Sequence, residues 1–253
     1  NTDIANLKPG ETATLKGATL GMEWDEDLDN GFRPAGLIHL SSTTVDNVPY
    51  IQDFGSVYDS GTATHHLTLY RAKSGALVFG AGTIQWSWGL DPNHDNEMGL
   101  PAPIGSYGIR IGLDQRGPDQ RVQQATVNLF ADMGTQPTTL RPGLIPAEES
   151  SDTVTPVARV LSPNDHSQLP SGSVLISGTA SDSGGGTVAA VELSVDGGQN
   201  WHPAQGWERW NYEWKIPPKT KTAQIVARAT DDSGNLGELS NQVTITIDNL
   251  SNP

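Results

Sequence analysis

The densest group of ionisable side chains is the run WDEDLDNG at residues 24–31. Glu23 precedes it, and Asp25, Asp27 and Asp29 alternate through it before Asn30 and Gly31. Oxygen ligands at alternate loop positions, with a glycine close behind, can wrap Ca2+. An EF-hand loop needs its glycine at position 6 and a glutamate at position 12. Counted from Asp25, Gly31 stands at position 7 and Gly36 at position 12, so this is not an EF-hand. A looser calcium loop, an acidic solvated turn and a catalytic carboxylate all remain open. A second group, DPNHDNE, places Asp91, His94, Asp95 and Glu97 together. These offer hard-cation ligands and a base. If this loop folds back on residues 25–31, the two groups share one cation.

Other candidates are weaker. His65 and His66 are adjacent on a strand and point to opposite faces, so they cannot chelate one ion there. One is expected under the sheet and the other in solvent. Asp182, Asp196, Asp231 and Asp232 lie in turns of the C-terminal half, where they can gather Ca2+ at one end of a sandwich; solvated turn aspartates are the plainer reading. Trp86, Trp88, Trp207 and Trp210 are candidates for a glycan-stacking or partner-binding surface. Trp210, Tyr212 and Trp214 share strand parity, which favours a core face for that set.

Several chemistries are excluded. The chain has no cysteine, which removes disulfides, thiolate metal sites and a cysteine nucleophile. No G-x-S-x-G occurs, and Ser87 between two tryptophans has no activating context. Gly80, Ala81 and Gly82 follow a strand, but no helix start comes next, so the dinucleotide reading fails.

The 253 residues carry 15 basic and 29 acidic side chains, a net charge of −14. That balance argues against a nucleic-acid or anionic-membrane partner, which would need cationic patches. No apolar run reaches the ~18 residues of a membrane helix. With 16 acidic and 8 basic residues in 1–136, and 13 and 7 in 137–253, the acidity is spread over the chain and forms no tail. It fits an extracellular or cell-surface setting. The chain begins at Asn1 and not Met, which reads as a processed or trimmed terminus.

Patterning divides the chain into 1–136, a proline-stiffened linker at 137–155, and 156–249. The last part reads as all β. VARVL, SVLISGTA, VAAVELSV, WERWNYEWK, AQIVARAT and QVTITI recur about every ten residues between turn signals, which fits a two-sheet sandwich. Asp196, Gly197 and Gly198 are a hairpin signal. In the first part, HHLTLYRA and ALVFGAG read as strands joined through Lys73 and Gly75. ALVF is continuously apolar, which suits a strand covered on both faces. Residues 119–133 read as a helix with an apolar face of Val122, Ala125, Leu129, Phe130 and Met133, opened by Pro118 and stopped by Gly134. Residues 83–117 show no clear periodicity, which suggests a functional loop.

The run VELSVDGGQNWHPAQGWERWNYEWK, followed by AQIVARATDDSGN, resembles a bacterial immunoglobulin-like domain. It is also similar to the Ig-like dimerisation domain of the sulfite oxidase family. Such domains serve as spacers, adhesive modules or dimer contacts.

The strings LGMEWDEDLDNGFRPAGLIHLSSTTV, GTATHHLTLYRAKSGALVFGAGTIQWSWGLD and QQATVNLFADMG resemble the C-terminal part of the N,N-dimethylformamidase large-subunit domain. That family implies an amidotransferase-like α/β fold and a mononuclear iron held by two tyrosines and a glutamate. The segments that carry its tyrosines are absent here, and the glutamate is sought near Glu23. On this resemblance, Asn1 falls inside a domain.

The expected fold is therefore α+β and mainly β, a partial α/β domain joined to an Ig-like β-sandwich. The expected role is a non-catalytic structural or interaction part of a larger secreted bacterial protein. Two alternatives stay open: part of an iron-dependent amidohydrolase completed by an N-terminal half, and a glycan-binding module. Ca2+ is the leading metal expectation and iron the lesser one. The expected partners are the missing N-terminal portion or further copies of the chain.

Overall fold

A computed structural model describes residues 3–8, 11–15, 19–20, 23–52, 55–91 and 118–248. Its strands in chain order are β1 (Ile38–His39), β2 (Thr43–Ile51), β3 (Tyr58–His65), β4 (Thr68–Arg71), β5 (Leu77–Gly80), β6 (Val157–Ser162), β7 (Gln168–Pro170), β8 (Ser173–Ser181), β9 (Val188–Ser194), β10 (His202–Pro203), β11 (Gln205–Gly206), β12 (Arg209–Lys215), β13 (Thr222–Asp231) and β14 (Val243–Asp248). One α-helix, α1 (Gln120–Asp132), and short 3-10 turns at Asp3–Asn6 and Ile84–Gly89 complete the described elements. The chain is mostly β. No helix among the described residues is long and apolar enough to cross a membrane.

The residues fall into two compact units, one of Asn1–Glu26, Thr43–His66 and Ala81–Ser150, the other of Asp27–Ser42, Leu67–Gly80 and Ser151–Pro253. The boundary passes through the acidic run, between Glu26 and Asp27.

In the first unit, β2 and β3 form an antiparallel ribbon with an irregularity between Val45 and Val48. Helix α1 begins one residue later than the sequence suggests. Asp119, not Pro118, is the cap, and its carboxylate accepts the Arg121 N–H. Gly134 stops the helix at φ +71°. The buried face is Val122, Gln124, Val127 and Ala131, whereas Phe130 and Met133 are exposed. Tertiary partners rotate the helix away from its most apolar stripe. Val122 packs where a Cβ on Gly89 would stand. The Gln124 amide makes two 2.9 Å bonds to the Ile145 backbone, so the proline-rich segment lies along the helix.

In the second unit a five-stranded sheet, β10-β9-β13-β14-β7, faces a four-stranded sheet, β11-β12-β8-β6. Pairing within them is antiparallel except between β14 and β7. This is an Ig-like β-sandwich. Its core takes Ile176, Trp210 and Trp214 from one sheet and Leu193, Ile225, Ala227 and Ile245 from the other. The expected alternation holds: Val243, Ile245 and Ile247 are buried, and Thr244 and Thr246 are not. Gly197 and Gly198 take the left-handed conformations that their turn requires, φ +76° and +96°.

The strands expected at HHLTLYRA and ALVFGAG are β4 and β5, and they pair antiparallel with β1 on the far side of β4. Strand β5 is not covered on both faces, since Val78 is exposed. This small sheet lies in the same unit as the sandwich. A buried ionic cluster fastens it there. Glu192 on β9 is 2% exposed. Its Oε2 accepts from the Gly36 N–H at 3.0 Å and Arg228 Nε at 2.8 Å, and its Oε1 lies 3.6 Å from Arg33 Nη1. Arg228 in turn stacks over the Trp201 ring, 3.8 Å from its centroid.

Candidate functional site

The acidic run near residue 25 is distributed among separate structural partners. Glu23 and Asp25 are exposed, and the Asp25 N–H donates to the Gly82 carbonyl. Glu26 accepts from the Tyr50 hydroxyl and the Thr64 N–H, each at 2.6 Å. In the second unit, Asp27 accepts from Arg33 at 2.8–3.0 Å and pairs with His39 Nε2 at 2.6 Å. Burial pushes the Asp27 carboxyl up, but the hydrogen bonds and charges of His39 and Arg33 outweigh it and hold the group well below the usual carboxylate range. Asp29 pairs with His202 Nδ1 at 2.8 Å. Asp27 and Asp29 thus have basic side chains as hydrogen-bond partners already in place. Asp91 is half-buried; His94 and Asp95 lie outside the described residues.

His65 is buried as expected, with Nε2 2.8 Å from the Ala81 carbonyl oxygen. His66 is half-buried. Of the tryptophans, Trp86 and Trp88 are half-buried on the 3-10 turn. Trp207 is 59% exposed, and Trp210 is a core residue at 2%. Strand parity turns the Trp210 side chain inward beneath Gly178.

The carboxylates that do converge are Asp152, Asp182 and Asp231. One oxygen from each lies within 4.8 Å of the others. Asp182 and Asp231 were among the turn aspartates singled out from the sequence. Asp152 was not, because it stands in the linker, far along the chain from both. Of the remaining two, Asp232 accepts the Thr187 N–H at 3.0 Å, and Asp196 serves its own hairpin through Ser194, Gln199 and Asn200.

Each aspartate is held locally. Asp231 has no exposed surface and accepts from the Ser233 and Asn235 N–H groups and from Asn235 Nδ2. Burial raises its carboxyl above the ordinary value, the bonds from Asn235 and Ser233 pull against that, and the Asp152 charge adds to the rise. The glycine run 184–186 lets Asp152 close in, because its carboxylate fills the space of a Cβ on Gly184. Asp182 accepts the Gly184 N–H at 3.2 Å through one oxygen; its other oxygen, Oδ1, is buried with no hydrogen-bond partner. Three close carboxylates, one of them fully buried, repel one another, and a cation would offset that repulsion. Their all-oxygen ligand set suits a hard divalent ion such as Ca2+.

Residues 2–97 match the family model for the N,N-dimethylformamidase beta subunit-like C-terminal region, and residues 156–227 match the model for a bacterial Ig domain. The chain thus joins a segment similar to the dimethylformamidase beta subunit-like region to an Ig-like β-sandwich. Among curated proteins it is similar to mitochondrial sulfite oxidase of Rattus norvegicus, 34% identical over 89 residues, and of Homo sapiens, 32% identical over 89 residues. Each alignment covers 30% of this chain and 16% of the relative. Solved structures with likeness include fibronectin(III)-like modules of Clostridium thermocellum CbhA, with a TM-score of 0.31 and 15% identity over 36% of this chain and 94% of that one. The fibronectin type-III domain of human fibronectin type III domain containing protein 3 gives a TM-score of 0.26 and 19% identity over 42% and 95%.

The iron that the dimethylformamidase resemblance implies is poorly matched by the described residues. Glu23, where the glutamate ligand was sought, is exposed. The tyrosine bonded to a glutamate is Tyr50, and that hydrogen bond to Glu26 holds its phenol above the ordinary value. Tyr50 and Glu26 form a hydrogen-bonded pair within the first unit.

Proposed function

We propose that the chain is a non-catalytic structural and interaction part of a larger secreted bacterial protein, working outside the cell or on its surface. The observation that carries this reading is the use made of the charged residues. Asp29 and Glu192 pair with His202 and with Arg33 and Arg228 in holding residues 27–42 to the sandwich, and Asp27 pairs with Arg33 and His39 inside that segment. The presence of a bacterial Ig domain beside a dimethylformamidase-like segment supports membership of a multidomain protein. Further copies of the chain or other parts of that protein are the partners. Exposed Ile51 and Tyr58 on the β2–β3 ribbon, with exposed Val57 just before β3, support such a covering.

The test is amide hydrolysis by the full chain supplied with ferrous iron, followed as dimethylamine release from dimethylformamide, together with light scattering across a concentration series. The expected result is no turnover above the protein-free rate and a mass that rises with concentration. Turnover lost in Glu26→Gln would overturn the non-catalytic reading, and a constant monomer mass would remove self-association.

One observation favours a second element of function. The buried, unpartnered Asp182 Oδ1 beside Asp152 and Asp231 supports Ca2+ binding at this end of the sandwich. Calcium would then stiffen the sandwich and its linker, since Asp152 belongs to the segment that enters the fold. Isothermal titration of the full chain with CaCl2 tests it, with heat expected from the parent protein and none from Asp182→Asn. A parent that gives no heat would end the idea.

A further inference from the structure

The outer face of the four-stranded sheet has a chemistry that the structural reading leaves unused. Arg159 on β6 and Arg209 on β12 are both register partners of Thr179 on β8, so the three stand on one rung. Both arginines are exposed, and neither side chain has a partner among the described residues. Two strand spacings set them roughly 10 Å apart at the backbone. In a chain with 29 acidic and 15 basic residues, two exposed arginines on one rung, neither in an ion pair among the described residues, concentrate positive charge there. Exposed Glu208 precedes Arg209, and further along β12 stand Glu213, in register with Leu175, and Lys215.

Beside Arg209 the surface dips into a groove of about 400 Å³. Ser177 and Thr179 on β8 and Asn211 on β12 line it with polar groups. Leu161 and Leu175, both exposed, flank it with apolar ones. The groove runs across strands and not along an edge. Edge pairing by a peptide is hindered at β6, because the Asn241 side chain already takes its backbone: Val160 N–H donates to Asn241 Oδ1 at 3.0 Å, and Asn241 Nδ2 donates to the Val160 carbonyl at 3.2 Å.

We infer that this face binds an acidic polysaccharide bearing carboxylates, such as a uronate chain. The paired guanidinium groups supply forked donors for carboxylates on the ligand. Ser177, Thr179 and Asn211 offer both donors and acceptors, which sugar hydroxyls require. Leu161 and Leu175 offer apolar area to the ring carbons. The site is separate from the aspartate cluster and from the exposed Trp207, and it does not depend on the non-catalytic reading.

The test is affinity electrophoresis of the full chain in gels containing polygalacturonate, with dextran and poly-glutamate gels as comparisons. A protein of net charge −14 is repelled by a polyanion unless a specific site exists. Retardation is expected in polygalacturonate alone, weakening with salt. Arg159→Gln with Arg209→Gln should weaken it at least roughly tenfold with an unchanged melting temperature. Arg209→Gln alone gives the same direction should the double variant lose stability. Lys219→Gln with Lys221→Gln removes the same charge from another part of the chain and should change nothing. The inference is overturned by no retardation of the parent, equal retardation of the arginine variant, an equal effect of the lysine variant, or equal retardation by poly-glutamate.

Discussion

Replacing Glu192 by glutamine keeps the shape of the side chain and removes one buried charge. The structure sets the scale. Glu192 is almost fully enclosed, accepts from Gly36 and Arg228 through Oε2, and faces Arg33 through Oε1 at 3.6 Å. Removing one partner of a buried ion pair costs about 3–5 kcal/mol, because the other charge is left uncompensated. Here the loss falls at the low end of that range. Arg33 keeps Asp27, and Arg228 keeps its stacking on Trp201. A loss of about 3 kcal/mol lowers the melting temperature of a unit this size by roughly 10 °C. Differential scanning calorimetry reads the shift, and hydrogen exchange of the Gly36 amide reads its place, since that N–H donates to Glu192. In the same protein the Gln124 amide network of the other unit serves as an internal control. A shift below about 2 °C, or a Gly36 amide as protected as before, would refute the claim that this cluster fastens residues 27–42 to the sandwich.

Three further outcomes are expected. Asp27 titrates well below its unfolded value of about 3.9, so its contribution is present above that pH and is lost as pH falls below it; acid melts should show a smaller loss between about pH 5 and pH 2 for Asp27→Asn than for the parent. Gly178→Ala should cost upwards of about 2 kcal/mol, because the new Cβ overlaps both the Arg159 carbonyl oxygen and the Trp210 ring; urea melts followed by tryptophan fluorescence check it. In EDTA, Asp182→Asn should raise the melting temperature by a few degrees, since it takes a like charge from beside the buried Asp231; a lower melting temperature would show that the cluster is not repulsive without a cation.

The sandwich was readable from sequence because its rules are local. Strand parity put Trp210 and Trp214 on one face, and the DGG turn demanded left-handed glycines. The helix was readable in extent and not in orientation. Its apolar spacing pointed to Phe130 and Met133, but packing on Gly89 and the Gln124 bonds to Ile145 chose another face. The candidate site was half legible. Turn chemistry marked Asp182 and Asp231, while Asp152 looked like an ordinary linker residue. Neither the glycine run that admits its carboxylate nor the close approach of the chain there is a matter of sequence spacing.

By itself, then, the sequence determined the mainly β character, the excluded thiol chemistry, the turns and the excess acidity, since each follows from residue type and near-neighbour geometry. The tertiary structure decided what the acidic side chains do. Asp27 meets Arg33 and His39 within one short segment, yet Glu192 stands 159 residues from Arg33, and Asp29 stands 173 residues from His202. Such pairs depend on how distant segments come together. The same carboxylate is a ligand, a solvated charge or a structural clamp according to the cation that the fold brings to it.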